Sequence, residues 1–302
     1  MSELVGVLAA VVSSGLGGTA VGATRYVVGV TDPMTLGAFR FGVGFIFLVP
    51  IAMLQESRWP PKRDWPKVFG LGLLFFGAFP VLFNSSLIFT TAARGALALS
   101  TLPVLTMVVA AALAVEPLSK RKVCGVFVAM GGVAMALLSG LATSPPGAWR
   151  GDLLMVGAAL CMAFYSIWSK PVIRRSGPIR FTTMAMGVGA LFLIVLSALR
   201  GGFASVAGFG MSQWLAIAYL GIFGSALTFF LWAFALGRTT PTKVAVSVTV
   251  NPLTASLVGA LLLGEPVRWN TIAGLLLVFL GIWIATKVAA VSPAGSTAGQ
   301  RV

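Results

Sequence analysis

Long apolar runs separated by short polar breaks make up almost the whole chain. Ten such runs fall at about residues 4–25, 33–54, 67–90, 92–115, 122–141, 152–173, 180–199, 213–236, 243–263 and 268–288. Each is close to the roughly 20 apolar residues that a helix needs to cross a bilayer. The pattern predicts an all-α polytopic membrane protein with ten transmembrane helices. Ser144-Pro145-Pro146-Gly147 interrupts the chain after the fifth run, which predicts two five-helix units, 1–143 and 149–289. Residues 290–302, rich in Ser, Ala and Gly, read as a disordered tail.

The two units echo one another. Pro103 matches Pro252, Glu116-Pro117 matches Glu265-Pro266, Gly125 matches Gly274 and Gly132 matches Gly281, all at an offset of 149 residues (252 − 103). Thr90-Thr91 with Thr239-Thr240, Arg94 with Lys243, and Ala96 with Ala245 keep the same offset. Five is odd, so a second copy of a five-helix unit enters the membrane upside down. Arg25 and Lys170, offset by 145 residues, then close the first helix of each unit on opposite sides. Inverted repeats give two near-mirror conformations of similar energy, with a substrate site near the midplane where the repeats meet.

Composition agrees: 58% of the 302 residues are hydrophobic and 9% charged, against roughly 25% charged in a soluble chain. The net charge of +14 could suggest a nucleic-acid partner, but the distribution of the basic residues says otherwise. With the N-terminus in the cytoplasm, five of the 21 Lys and Arg (Arg25, Arg94, Arg150, Arg200 and Arg268) fall outside. Arg40 lies within the second run, and the other fifteen fall inside. That bias is the positive-inside signature, so both termini are expected in the cytoplasm and no nucleic acid is implied. The first run lacks a basic n-region and is expected to remain as an uncleaved span. Cys124 and Cys161 sit within runs and read as small buried side chains.

Ala38-Phe39-Arg40-Phe41 in the second run, with Leu113-Ala114-Val115-Glu116-Pro117 and Leu262-Leu263-Gly264-Glu265-Pro266, form a recognisable set. Together with the Gly-rich fifth and tenth runs, they make residues 4–288 resemble the drug/metabolite transporter superfamily, in particular its EamA-type families. Within these the chain is similar to amino-acid exporters, including the aromatic amino-acid branch. The resemblance implies a ten-helix transporter of small molecules. The expected location is the inner membrane of a bacterium, with the lipid bilayer as partner and the oligomeric state open.

Candidate site residues gather around the repeated prolines. Pro103 and Pro252 are expected mid-helix, where each removes a donor and loosens the carbonyl four residues back, at Leu99 and Val248. They either kink the helices or serve as hinges in the wall of a polar cavity. Ser100, Thr101, Thr249 and Asn251 lie beside these breaks. Asn84 and Asn251 are amides deep in the runs, either glue between helices or contacts for substrate. Thr106, Ser225, Thr228 and Ser256 are lesser candidates, because a lone hydroxyl can bond its own helix. Tyr165, Trp168 and Trp232 lie deeper in the runs; Tyr165 and Trp168, at i and i+3, share a helix face, and at least one of them is expected to face a cavity. With Phe79, Phe83, Met107 and Met162 they suggest a broad apolar pocket. Trp59, Trp65, Trp149, Trp214 and Trp269 read as interface anchors, and Gly18 and Gly22 as a helix-packing face.

The chain has no histidine, and its seven acids all lie at loops or run ends. Neither proton relay, metal site nor enzyme chemistry is suggested, and no cofactor. The one deep charge is Arg40, which either snorkels to the outer surface or recognises a substrate carboxylate. The expected activity is export of small neutral or zwitterionic metabolites, chiefly amino acids, by alternating access. A multidrug exporter and a passive channel are the alternatives.

Overall fold

A computed structural model describes residues 2–56, 58–90, 95, 98–141, 147–254 and 269–286. Every regular element among them is helical. This is what lipid demands, since a helix satisfies its backbone N–H and C=O groups internally. The helices are α1 (Ser2–Val28), α2 (Pro33–Leu54), α3 (Lys62–Phe89), α4 (Leu102–Ala112), α5 (Lys120–Leu141), α6 (Ala148–Ser176), α7 (Pro178–Leu199), α8 (Met211–Arg238), α9 (Pro241–Val246) and α10 (Trp269–Thr286). Among the described residues six of these (α1, α2, α3, α6, α7 and α8) are long and apolar enough to cross a membrane. The expected Glu265-Pro266 ending, Arg94, Ser256 and the tail at 290–302 lie outside the described residues.

Local sequence explains the helix starts. Pro33 and Pro178 occupy the first helical positions of α2 and α7, where a missing N–H costs nothing. Asp32 caps α2, its Oδ1 accepting from Met34 N at 2.9 Å and Thr35 N at 3.1 Å. Gly177, at φ +81°, turns the chain between α6 and α7. Helices α3 and α8 each carry a π-helical segment, Leu73–Ala78 and Ile222–Leu227. These two segments are separated by the 149-residue offset (222 − 73) already seen in the sequence.

Packing crosses between the units: α1 lies on α8, α3 on α6, α2 on α7, and α5 on α10. Glycines set the closest approaches. A Cβ added to Gly6 of α1 would collide with Arg238 Cβ of α8 at 2.9 Å, with the Ala235 carbonyl oxygen at 3.6 Å, and one on Gly151 of α6 would meet the Ser86 carbonyl oxygen of α3 at 2.6 Å. On α5, a Cβ at Gly125 would lie 2.6 Å from the Gly281 carbonyl oxygen, and one at Gly132 would lie 2.7 Å from that of Gly274. Only glycine allows backbones so near.

Polar pairs hold the two ends of the bundle. At one end Arg175 grips Asp64 through Nε at 3.1 Å and Nη2 at 3.0 Å, and Lys122 pairs with Glu116 at 2.7 Å. There, too, Lys243 pairs with Glu3 at 2.5 Å, and Thr239 Oγ1 donates to Glu3 at 3.0 Å. At the opposite end Thr90 Oγ1 donates to Asp152 at 3.2 Å, Thr31 bonds Ser205 at 2.8 Å, and Arg25 donates to the Leu87 carbonyl.

Candidate functional site

Midway along the helices a narrow cavity opens between α1, α2, α3, α6, α8 and the chain around α4 and α9. Ser13, Ser14, Gly17, Val21, Arg40, Phe79, Phe83, Leu99, Met162, Thr228, Phe229, Trp232, Val248 and Asn251 line it. Its volume is about 40 Å³, room for a few waters at roughly 10–15 Å³ each. No acidic side chain is in the lining.

Arg40 does not snorkel. It is 6% exposed and turns inward from α2 onto the π-helical segment of α8. Its Nε donates to Ser225 Oγ at 2.9 Å, Nη2 to the Gly224 carbonyl at 2.7 Å, and Nη1 to Thr24 Oγ1 at 3.4 Å. Every acceptor is neutral. Gly224 suits this crowded place, because a Cβ there would press on Ala20 Cβ at 3.0 Å. A neighbouring hydroxyl helps the π-helical backbone: Thr228 Oγ1 donates to the Phe223 carbonyl at 2.7 Å.

Across the cavity Asn251 is 8% exposed and its Oδ1 accepts no hydrogen bond. Ser13 Oγ donates to the Thr228 carbonyl at 2.7 Å, and Ser14 bonds Ser247 at 2.8 Å. Phe79, Phe83, Phe229 and Trp232 form the apolar wall, with Phe79 and Phe83 stacked at 5.5 Å and Trp232 Nε1 donating to Ser166 Oγ at 3.3 Å. The site therefore has one fixed positive charge, one unpartnered amide oxygen and a ring-lined face.

A family model described as the EamA-like transporter family matches residues 2–138 and again residues 149–287. The chain belongs to the EamA-like transporter family. Its relatives include the uncharacterized transporter YyaM of Bacillus subtilis (strain 168), 25% identical over 87% of this chain and 88% of that protein. A probable terminal-alkyne amino-acid exporter of Streptantibioticus cattleyicolor is 28% identical over 76% of each chain. One crystal structure, 22% identical, superposes with a TM-score of 0.70 over 94% of this chain and 97% of that one, a likeness of fold.

In this EamA-like transporter the cavity gathers Phe79, Phe83, Met162, Trp232 and Asn251 from the expected residues. The others stand elsewhere. Asn84 is buried between α3 and α2, its Nδ2 donating to the Pro33 carbonyl at 2.9 Å. Thr101 and Thr249 bond backbone carbonyls three residues back, at Ala98 and Val246, both at 2.7 Å. Ser100 is buried in the turn before α4, and Met107 is buried on α4 outside the lining. Tyr165 is buried against Phe75, with ring centroids 4.1 Å apart. Trp168 is 49% exposed on the outer surface and stacks on Phe164. A spacing of three residues leaves side chains about 60° apart on a helix, enough for one to point inward and the next outward.

The prolines do not kink continuous helices. Pro103 is the second residue of α4, after a turn at 100–101, and Pro252 follows the 3-10 segment Ser247–Val250. Each stands in the first turn of a restarted helix, where its missing N–H is harmless. The expected loosened positions, Leu99 and Val248, both line the cavity. Sequence reasoning missed Ser13, Ser14, Gly17, Val21 and Phe229. It held Thr228 as a lesser candidate and Val248 only as a carbonyl. The repeat offset carries Phe79 to Thr228 and Leu99 to Val248, so the signal for those two was present.

Proposed function

We propose that this EamA-like transporter exports small neutral or zwitterionic metabolites by alternating access around this cavity. Amino acids are the first class, those with aromatic or other apolar side chains among them. In this reading ten transmembrane helices form two inverted repeats, 1–143 and 149–289, in a bacterial inner membrane, with both termini in the cytoplasm.

The observation that carries the proposal is the pairing of the cavity's walls. Gly17 pairs with Met162 at the 145-residue offset. Phe79 pairs with Thr228, Phe83 with Trp232 and Leu99 with Val248 at the 149-residue offset. A cavity built from equivalent positions of both units lies on the axis that relates them, where openings toward either side converge.

Other pairs support the same relation. Gly6 against Ala235 is matched by Gly151 against Ser86, and Thr239 on Glu3 is echoed by Thr90 on Asp152, which stands about one helical turn along α6 from the position equivalent to Glu3. The first two contacts join α1 to α8 and α6 to α3, the reciprocity that a two-fold relation requires. Helix α1 begins at the end bearing the three ion pairs and α6 ends there, which favours opposite directions for the units. At about 40 Å³ the cavity is contracted, against the roughly 300–1,000 Å³ of sites that enclose small molecules. Cargo enters when the units part, with the restarts at Pro103 and Pro252 taking up the movement. The relative named as an amino-acid exporter and the ring-lined wall favour amino acids as cargo.

Counterflow in liposomes, run across the twenty amino acids with and without a pH gradient, tests this directly. Accumulation of labelled apolar amino acids is expected. Failure of all twenty, with organic cations accumulating instead, replaces the reading by the multidrug one. Reporter fusions at Pro61, Arg121 and Gly177 should report cytoplasm and one at Pro146 the opposite side; a reversed pair breaks the inverted arrangement.

A further inference from the structure

We infer that Arg40 is the seat of a carboxylate on the cargo, and that Asn251 Oδ1 receives the cargo's ammonium group. The inference rests on the transport reading above and sharpens its substrate class to molecules bearing a carboxylate, α-amino acids in particular.

A buried cation is expensive. An unpaired arginine in the middle of a membrane is unfavourable on every insertion scale. Proteins offset such a charge with a carboxylate or several good acceptors. Here three neutral oxygens serve, one of them at 3.4 Å, and among the described residues no acid pairs with Arg40. A guanidinium has five N–H donors in a planar fork, so two N–H groups remain for an arriving anion. Carboxylate is the group whose geometry that fork matches.

The architecture does not call for this charge. At the 145-residue offset Arg40 corresponds to Ala185, and at the 149-residue offset Ser225 and Gly224 correspond to Phe76 and Phe75. The first unit closes its matching space with rings. The equivalent space in the second unit is filled by a guanidinium instead of rings, and Arg40 is among the residues that line the cavity.

The second pole is independent of the first. Asn251 corresponds to Leu102 in the other unit, so its amide is also absent from the equivalent place. Its Oδ1 is buried and has no donor, and the residue lines the cavity; a buried acceptor left without a donor is costly. An ammonium group relieves it, and the Phe79, Phe83, Phe229 and Trp232 wall takes an apolar side chain. A cation without a carboxylate meets a like charge instead and is refused.

The test is calorimetric titration of the full chain in lipid nanodiscs with L-phenylalanine, 3-phenylpropanoate and phenethylamine, three ligands sharing one ring. L-Phenylalanine and 3-phenylpropanoate should each bind at least tenfold tighter than phenethylamine. Arg40→Gln should erase that preference, while Arg40→Lys keeps part of it. Asn251→Ala should weaken L-phenylalanine three- to tenfold and leave 3-phenylpropanoate within twofold. Equal binding of all three ligands by the unaltered protein overturns the inference whether or not any variant folds. So does an unchanged preference in Arg40→Gln. Carboxylate preference without amino-acid counterflow sinks the amino-acid reading alone; counterflow without carboxylate preference sinks this inference alone.

Discussion

The π-helical segments of α3 and α8 have the same length, the same offset from their partners and opposite contents. In Leu73–Ala78, Phe75 stacks on Tyr165 at 4.1 Å and meets Phe76, Phe79 and Phe229, a closed aromatic cluster. In Ile222–Leu227 the corresponding residues are Gly224 and Ser225, and Ala20 stands where Tyr165 stands in the other unit. The volume given up by Phe, Phe and Tyr is occupied by the guanidinium of Arg40. A π-helical turn disturbs the regular ladder and is frequent at functional sites. Here it occurs twice, once sealed by rings and once answered by a charge. Repetition has kept the backbone and released the chemistry, which places the polar pole of the cavity on one side of it.

Changes that make one segment resemble the other put this contrast to the test. The largest effect is expected from Phe75→Ala, which opens a hole inside the aromatic cluster. It should lower stability by about 3–5 kcal/mol, read as a lowered unfolding temperature in detergent. Gly224→Phe should follow, because the ring collides with Ala20 and evicts the guanidinium. Counterflow should fall at least tenfold with membrane insertion preserved, and unchanged counterflow would show that the guanidinium's seat is dispensable. Ser225→Ala removes the acceptor of Arg40 Nε and should cost about 1–3 kcal/mol, visible as a milder loss in the same assay. Tyr165→Phe should be nearly silent, within about 0.5 kcal/mol, because the hydroxyl has no hydrogen-bond partner to lose. A large loss of transport in that variant would move Tyr165 from packing to cargo recognition.

The six apolar runs that form long helices among the described residues and the 149-residue echo were legible because both are properties of sequence spacing. Asn251 was legible because an amide in an apolar run has to be explained by a partner. The π-helical segments were not, since an extra residue in a turn leaves no mark on hydrophobic pattern. Nor was the direction of Arg40, whose two shorter hydrogen bonds go to α8, 184 and 185 residues away. Only the fold decides between an outward and an inward guanidinium when both are within reach of a flexible stem. Asn84 stood open between glue and cargo contact, and its Nδ2 donates to the Pro33 carbonyl of α2, as glue between helices would, while its Oδ1 has no donor.

The glycine seam between α5 and α10 has a mechanical consequence. Helices whose backbones touch through Gly125, Gly132, Gly274 and Gly281 have almost no side-chain cushion between them, so sliding one past the other forces hard atoms into collision. That pair forms a stiff keel that contributes no side chain to the cavity lining and packs against the segment that carries Val248. If cargo passes through the cavity as proposed, its preference can drift through substitutions around α1, α2 and α8 without disturbing this seam.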